Sequence, residues 1–204
     1  MTNDTAQRIR DAALGLFTIH GYAGLSMQEV RRTAGVSNGS LYHFFPHKAD
    51  LVAELRVEGM RDCQSVLLTA LNGASDPRAG IEETVRTYLS WVENHRQLAS
   101  LLFADLPDEV LLASEPALMP FNRQYVRVVA QWLTEQTRAG RLVDAPFEVA
   151  HALWLGPTQE FCRHWVRGRS RHRPTSAADH LALGAWRSLA MQPQTVRANH
   201  SDGG

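Results

Sequence analysis

Hydrophobic residues along this chain recur every three to four positions, and no stretch alternates apolar and polar residues as a half-buried strand would. Ile9, Ala13, Leu16, Phe17 and His20 share one face of a first helix, and Gly21 suits its end. Ser26, followed three residues later by Glu29, has the form of a capping box and opens a second helix reaching about Thr33. Gly35 turns the chain, a third helix is expected from Ser37 to Phe44, and Pro46 ends it. Leu51, Leu55, Cys63, Val66 and Leu67 mark a long fourth helix from about His47 to Leu71.

The run NGASDP at 72–77 is a break made of turn formers. After it, Ile81, Val85, Tyr88, Leu89 and Val92 predict a fifth helix. Leu98, Leu101, Leu102 and Phe103 predict a shorter sixth that stops near Pro107. Pro116 and Pro120 bracket a stretch with no clear pattern. Beyond it, Phe121, Tyr125, Val128, Val129, Trp132 and Leu133 mark a long helix ended by Gly140. Another begins near Pro146, with a kink expected at Gly156-Pro157. The connector RGRSRHRP leads to a final helix over 175–191, and the polar remainder, 192–204, reads as a disordered tail. The expected fold is all-α: a three-helix head over 1–46, joined by the long fourth helix to a larger helical body over 47–191.

Charge changes this picture little. The 204 residues carry 21 basic and 21 acidic side chains, so any binding of a polyanion must rest on a local patch. Residues 1–56 are nearly balanced, with Arg8, Arg10, Arg31, Arg32, Lys48 and Arg56 against Asp4, Asp11, Glu29, Asp50 and Glu54. Cys63 and Cys162 are far apart in sequence, match no redox or metal spacing, and read as buried thiols of a reducing cytosol. The polar start of the chain has no apolar segment of a signal peptide, and no apolar run approaches the ~18 residues of a membrane span. His43 and His47 are four apart, but Pro46 between them breaks the helix that would align them on a metal. Cys162 with His164 is no stronger. No phosphate loop, nucleophile elbow or cofactor motif is present, so neither an enzyme nor a cofactor is expected.

The candidate chemistry lies in GVSNGSLYHFFPHK, from Gly35 to Lys48. Two short helices joined at a glycine have the form of a helix-turn-helix. A recognition helix must lie close to DNA. Small residues at its start admit the backbone, while hydroxyl and amide groups reach phosphates and base edges. Ser37, Asn38, Gly39 and Ser40 supply that start, and Tyr42 offers an apolar ring with a phenol. Lys48 is the chain's only lysine. It falls in the first turn of the fourth helix, where the dipole disfavours a cation unless an anion is also there.

The run AALGLFTIHGYAGLSMQEVRRTAGVSNGSLYHFFPHKADLVAEL resembles the DNA-binding head of the TetR/AcrR family of bacterial transcriptional repressors. The resemblance is carried in order by Gly21-Tyr22, Ser26, Ala34-Gly35-Val36, Leu41-Tyr42, Phe45 and Lys48-Ala49-Asp50-Leu51, and it covers about the first 55 residues. It implies DNA-facing roles for Ser26, Ser37, Ser40, Tyr42, His43 and Lys48, beside Asn38 and Gly39. It also implies a head core of Ala13, Phe17, Val30, Ala34, Leu41 and Phe45. Asn38 stands where a basic residue is frequent, Phe44 where a polar ring is frequent, and His47 where Ser or Thr usually caps the fourth helix.

The resemblance further implies a homodimer bound to double-stranded operator DNA and a small-molecule effector held in the body. Met60, Cys63, Tyr88, Trp91, His95, Phe103, Phe121, Tyr125 and Trp132 are the candidates for its wall, although aromatics at helical spacing are equally read as core. The last two helices read as the dimer interface, through Phe161, Trp165, Ala178, Leu181, Ala182, Ala185, Trp186 and Leu189. The expected function is a repressor released from a palindromic operator by its effector, without contact to membranes. The alternatives are a regulator whose body only dimerises and, more remotely, an enzyme. The basic run Arg163, Arg167, Arg169, Arg171 and Arg173 reads first as a solvated connector.

Overall fold

A computed structural model describes residues 2–191 of the chain. The tail 192–204 lies outside them. Among the described residues are nine α-helices and one 3-10 turn but no strand, with an isolated antiparallel bridge between Leu142 and Ala190. None of these helices is long and apolar enough to cross a membrane.

The head begins with α1 (Thr2–Gly24), whose regular course ends where Gly21 takes φ 65° and ψ −175°. Next comes α2 (Met27–Ala34), closed by Gly35 in the left-handed region at φ 63° and ψ 40°. The N–H groups of Gly35 and Val36 donate to the carbonyls of Arg32 and Arg31, both at 3.2 Å. A glycine is required there because a Cβ disfavours that backbone region. α3 (Asn38–Phe44) starts at Ser37, whose Oγ accepts from the Ser40 N–H at 3.0 Å.

One capping expectation is corrected. Ser26 precedes α2 but its side chain makes no cap hydrogen bond, since this exposed helix start can be satisfied by water. At α4 (Lys48–Asn72) the cap comes from the helix side: Asp50 accepts from the His47 N–H at 3.1 Å.

The body adds α5 (Pro77–Asn94), α6 (Arg96–Leu102), α7 (Asp108–Arg138), α8 (Phe147–Val166), a 3-10 turn at Pro174–Ala177 and α9 (Ala178–Leu189). Asp76 caps α5 by accepting from the Ala79 N–H at 2.9 Å, with Pro77 in the first turn. The irregular stretch expected around Pro116 and Pro120 is instead part of α7. Both prolines are exposed, as are Leu112 and Pro116, whose carbonyls lose their helical donors and can turn to water. α8 likewise runs through Gly156-Pro157 as one helix.

Packing is centred on α4 and α5. α4 lies mainly against α7 and α5, α5 against α9, and α8 against α9. One core joins Ile9, Phe17, Val30, Leu41 and Phe45 of the head to Leu51 and Leu55 of α4, and is closed by Leu101 of α6 and Val110 of α7. This core thus spans residue 46 and takes in residues of both the head and the body. The second core fills the body from Cys63 to Leu189.

Candidate nucleic-acid interface and body sites

The second and third helices both expose polar residues. Leu41 and Phe45 are buried, at 0% and 2% exposure, and fix the inner side of α3. On its outer side Asn38, Gly39, Tyr42 and His43 are exposed, Ser40 is half-buried, and the exposed Ser26 lies at the start of α2. The Ser37 hydroxyl is less free, since it accepts from the Ser40 N–H and lies 2.9 Å from the Ser40 hydroxyl. Phe44 is half-buried, and its ring meets His43 edge-on at 5.3 Å.

Cations divide into tied and free. Arg8 donates to the Ala34 carbonyl at 3.3 Å, and Arg10 to Glu54 at 2.6 Å. Among the described residues, the side chains of Arg31 and Arg32 make no ion pair or hydrogen bond. The sequence singled out neither over Arg8 and Arg10, because spacing places charges on a face without showing their partners. Lys48 Nζ donates to the Tyr22 carbonyl at 2.9 Å and lies 4.2 Å from the centre of the Tyr22 ring. The Tyr22 hydroxyl in turn donates to Glu109 at the start of α7. Burial and that acceptor push the Tyr22 phenol up to about 12.

The nine residues expected to wall an effector chamber do not converge. Cys63, Tyr88 and Tyr125 face the interior, where they meet Cys162 of α8. Burial pushes both thiols up to about 12, which leaves them protonated and unreactive. Tyr125 Oη is 3.4 Å from Nε2 of His151, which burial holds below the usual imidazole range. Thr158 is 1% exposed, and its hydroxyl has no partner. His151 and Thr158 carried no sequence signal beyond lying on the α8 pattern.

The other candidates lie elsewhere. Trp91 donates to Asp62 at 2.6 Å and stacks on His95 at 5.2 Å, at an open groove between α4 and α5. Phe121 lies under the Arg61 guanidinium, 4.4 Å away, on a groove of about 630 Å³ between α4 and α7. Phe103 ends α6, close to Arg163. Met60 is half-buried on α4. Trp132 is structural: it lies 5.4 Å from Trp154, and a Cβ on Gly80 would come within 2.8 Å of its ring.

Residues 9–55 match the family model described as bacterial regulatory proteins, tetR family. The transcriptional regulator YxaF of Bacillus subtilis is 26% identical over 154 residues, which are 75% of this chain and 78% of YxaF. The repressor AcnR of Corynebacterium diphtheriae is 27% identical over 150 residues, 71% of this chain and 72% of AcnR. Residues 9–55 thus form a TetR-family DNA-binding head. The fold agrees: FadR of B. subtilis, solved with stearoyl-CoA, superposes at a TM-score of 0.75 with 18% identity, over 89% of this chain and 98% of FadR. With this head and relatives that are transcriptional regulators, the chain is a DNA-binding transcriptional regulator and not an enzyme.

Three residues read as interface are committed to the chain's own core. Ala182, Ala185 and Leu189 are 0%, 4% and 1% exposed, because α9 uses its small residues to approach α5. Trp165 lies under the Arg96 guanidinium at 4.8 Å, while Phe161, Ala178, Leu181 and Trp186 are half-buried against the same core. The apolar residues that remain exposed on α8 are Val149 and Leu153, at 48% and 39%, in line with Ala152, Gly156 and Pro157. Beside them α9 presents Gly184 and Ser188; the Ser188 hydroxyl donates to the Ala185 carbonyl at 2.8 Å and lies 3.4 Å from the Leu153 carbonyl. The signal was present as an i, i+4, i+7 pattern on α8, but a one-sided pattern does not say which face turns inward.

Proposed function

We propose that the chain is a homodimeric repressor that grips a two-fold operator and leaves it when a small molecule enters the body. The observation that carries this reading is the exposed face of α3, held on a core that α6 and α7 also close. Asn38, Ser40, Tyr42 and His43 meet base edges and phosphates, while Ser26, Arg31, Arg32 and Lys48 hold the backbone. Because the body completes the head's core, a change in the body alters the spacing of two heads. AcnR, similar over most of its length, is a repressor by name.

The interior cluster of Tyr88, Tyr125, His151, Thr158, Cys63 and Cys162 supports an effector with a mostly apolar frame and one hydrogen-bonding group. None of the six is charged at neutral pH, and the Thr158 hydroxyl is buried without a partner, so a ligand oxygen or nitrogen would satisfy it. The stearoyl-CoA held by FadR has an acyl chain of this apolar character. The dispersal of the other aromatics favours a second reading, a regulator whose body only dimerises.

Selection of duplexes from a random pool by the full-length protein tests the function directly. The expected result is a palindrome of two half-sites about one or two helical turns apart, bound by two protomers. Selected sequences without two-fold repetition would overturn the dimeric reading. Thr158→Val and Tyr125→Phe should leave affinity for that duplex unchanged while weakening its release by fatty acyl and aromatic compounds. Release unaltered in both variants would place the effector elsewhere.

A further inference from the structure

Lys48 is the chain's only lysine, and its ammonium is held within the protein. One N–H donates to the Tyr22 carbonyl and the charge rests on the Tyr22 ring, a cation–π contact. Tyr22 follows Gly21, whose left-handed backbone ends regular α1, so neighbouring helix does not fix its ring. What does is the hydroxyl's bond to Glu109, in the first turn of α7. The chain of contacts therefore runs from the head's cation, through one aromatic ring, to a body helix.

An open groove of about 850 Å³, bordered by Phe17, Tyr22, Lys48, Leu106 and Arg167, lies beside it. The cation is thus only half-buried, with two N–H donors left for an outside acceptor. A flexible ammonium otherwise loses its rotamer freedom when it binds a phosphate, and a side chain already ordered has less to lose.

We propose that Tyr22 and Glu109 are positioning residues for DNA binding: they pre-order Lys48 for a phosphate and make its placement depend on α7. The proposal rests on reading Lys48 as a phosphate contact. Glu109 does not touch DNA; it acts through Tyr22. Movement of the α7 start relative to α1 would release the ring, and with it the cation, without any change in α3.

The test measures binding of the full-length protein to a duplex it has selected from a random pool, across a salt series. Tyr22→Phe keeps the ring but removes the hydroxyl. Glu109→Ala removes the acceptor, and Glu109→Gln restores a neutral one. Tyr22→Phe and Glu109→Ala should each weaken binding by about three- to tenfold, the scale of ordering one long side chain. Glu109→Gln should stay near wild type. Lys48→Ala should lower the salt slope by about one unit per protomer. In the Lys48→Ala background, Tyr22→Phe and Glu109→Ala should have no further effect, whereas a merely structural role would persist there.

Thermal unfolding of each variant reports any loss of fold. Wild-type or tighter binding by Tyr22→Phe and Glu109→Ala beside a defective Lys48→Ala would overturn the positioning role alone. Additive losses in the Lys48→Ala background would overturn it too. Wild-type affinity and slope in Lys48→Ala would remove the phosphate contact itself, and the proposal with it.

Discussion

At the scale of single residues, polar groups of the same type divide by what they already hold. Ser37 and Asn38 are neighbours at the start of α3, yet only Ser37 is used as its cap. Ser37→Ala should therefore lower stability by about 1 kcal/mol, the usual loss for a capping hydroxyl, as read from the urea midpoint. Asn38→Ala should leave that midpoint unchanged and alter base preference in a selection experiment; the reverse assignment of effects would show that the cap is misplaced. His151 gives a pH signature. Burial depresses its folded pKa, so the unfolded chain binds the proton more readily than the folded one. Stability linked to His151 is present above the ordinary imidazole value of about 6.5 and falls as pH drops below it. Melting temperatures at pH 7.5 and 5.5 should differ less for His151→Leu than for wild type. An equal difference in the two proteins would remove His151 as the cause.

Among elements, close approach depends on small residues whose partner the sequence does not name. Gly80 lets α5 meet the Trp132 ring on α7, and a Cβ there would sit 2.8 Å from it. Gly80→Ala should cost about 1–3 kcal/mol through overpacking, despite the better helix propensity of alanine. A rise in melting temperature would mean that the ring yields freely. The head was legible because its signals are local. Gly35 marks the turn by its backbone, Ser37 caps within three residues, and Leu41 and Phe45 share a face. α7 was not, since Pro116 and Pro120 satisfy the rule for a break and only their outward placement shows why the helix survives. The body's chemistry was legible least. Helical spacing puts Trp91, Phe121 and Trp132 on faces, but what covers each face comes from other helices: Asp62 for the first, Arg61 for the second, Gly80 and Trp154 for the third.

For the whole molecule, the proposed dimer needs one surface that meets a second copy, and exposure alone does not select it. Leu112 on α7, at 66%, is more exposed than Val149 or Leu153 of α8. Its neighbours along that face include Glu115 and Arg123, however, and a contact there would have to desolvate these charges. The joint face of α8 and α9 carries Val149, Ala152, Leu153, Gly156, Pro157 and Gly184, which are apolar and small enough for two helices to approach two others about a two-fold axis. Leu153→Glu should therefore sediment as a monomer at micromolar concentration, because a dimer would bury an unpaired carboxylate. Leu112→Glu should remain dimeric. Ala185→Glu separates the two roles of α9: at 4% exposure its charge enters the chain's own core, so it should unfold the protein instead of merely dividing a dimer. Function follows from the same arithmetic. A monomer brings one head to one half-site, so Leu153→Glu should bind its duplex with about half the wild-type salt slope, while keeping the base preference set by α3. A Leu153→Glu protein that stays dimeric would move the interface off this face. A monomer that keeps the full slope would mean that one head alone makes all the phosphate contacts.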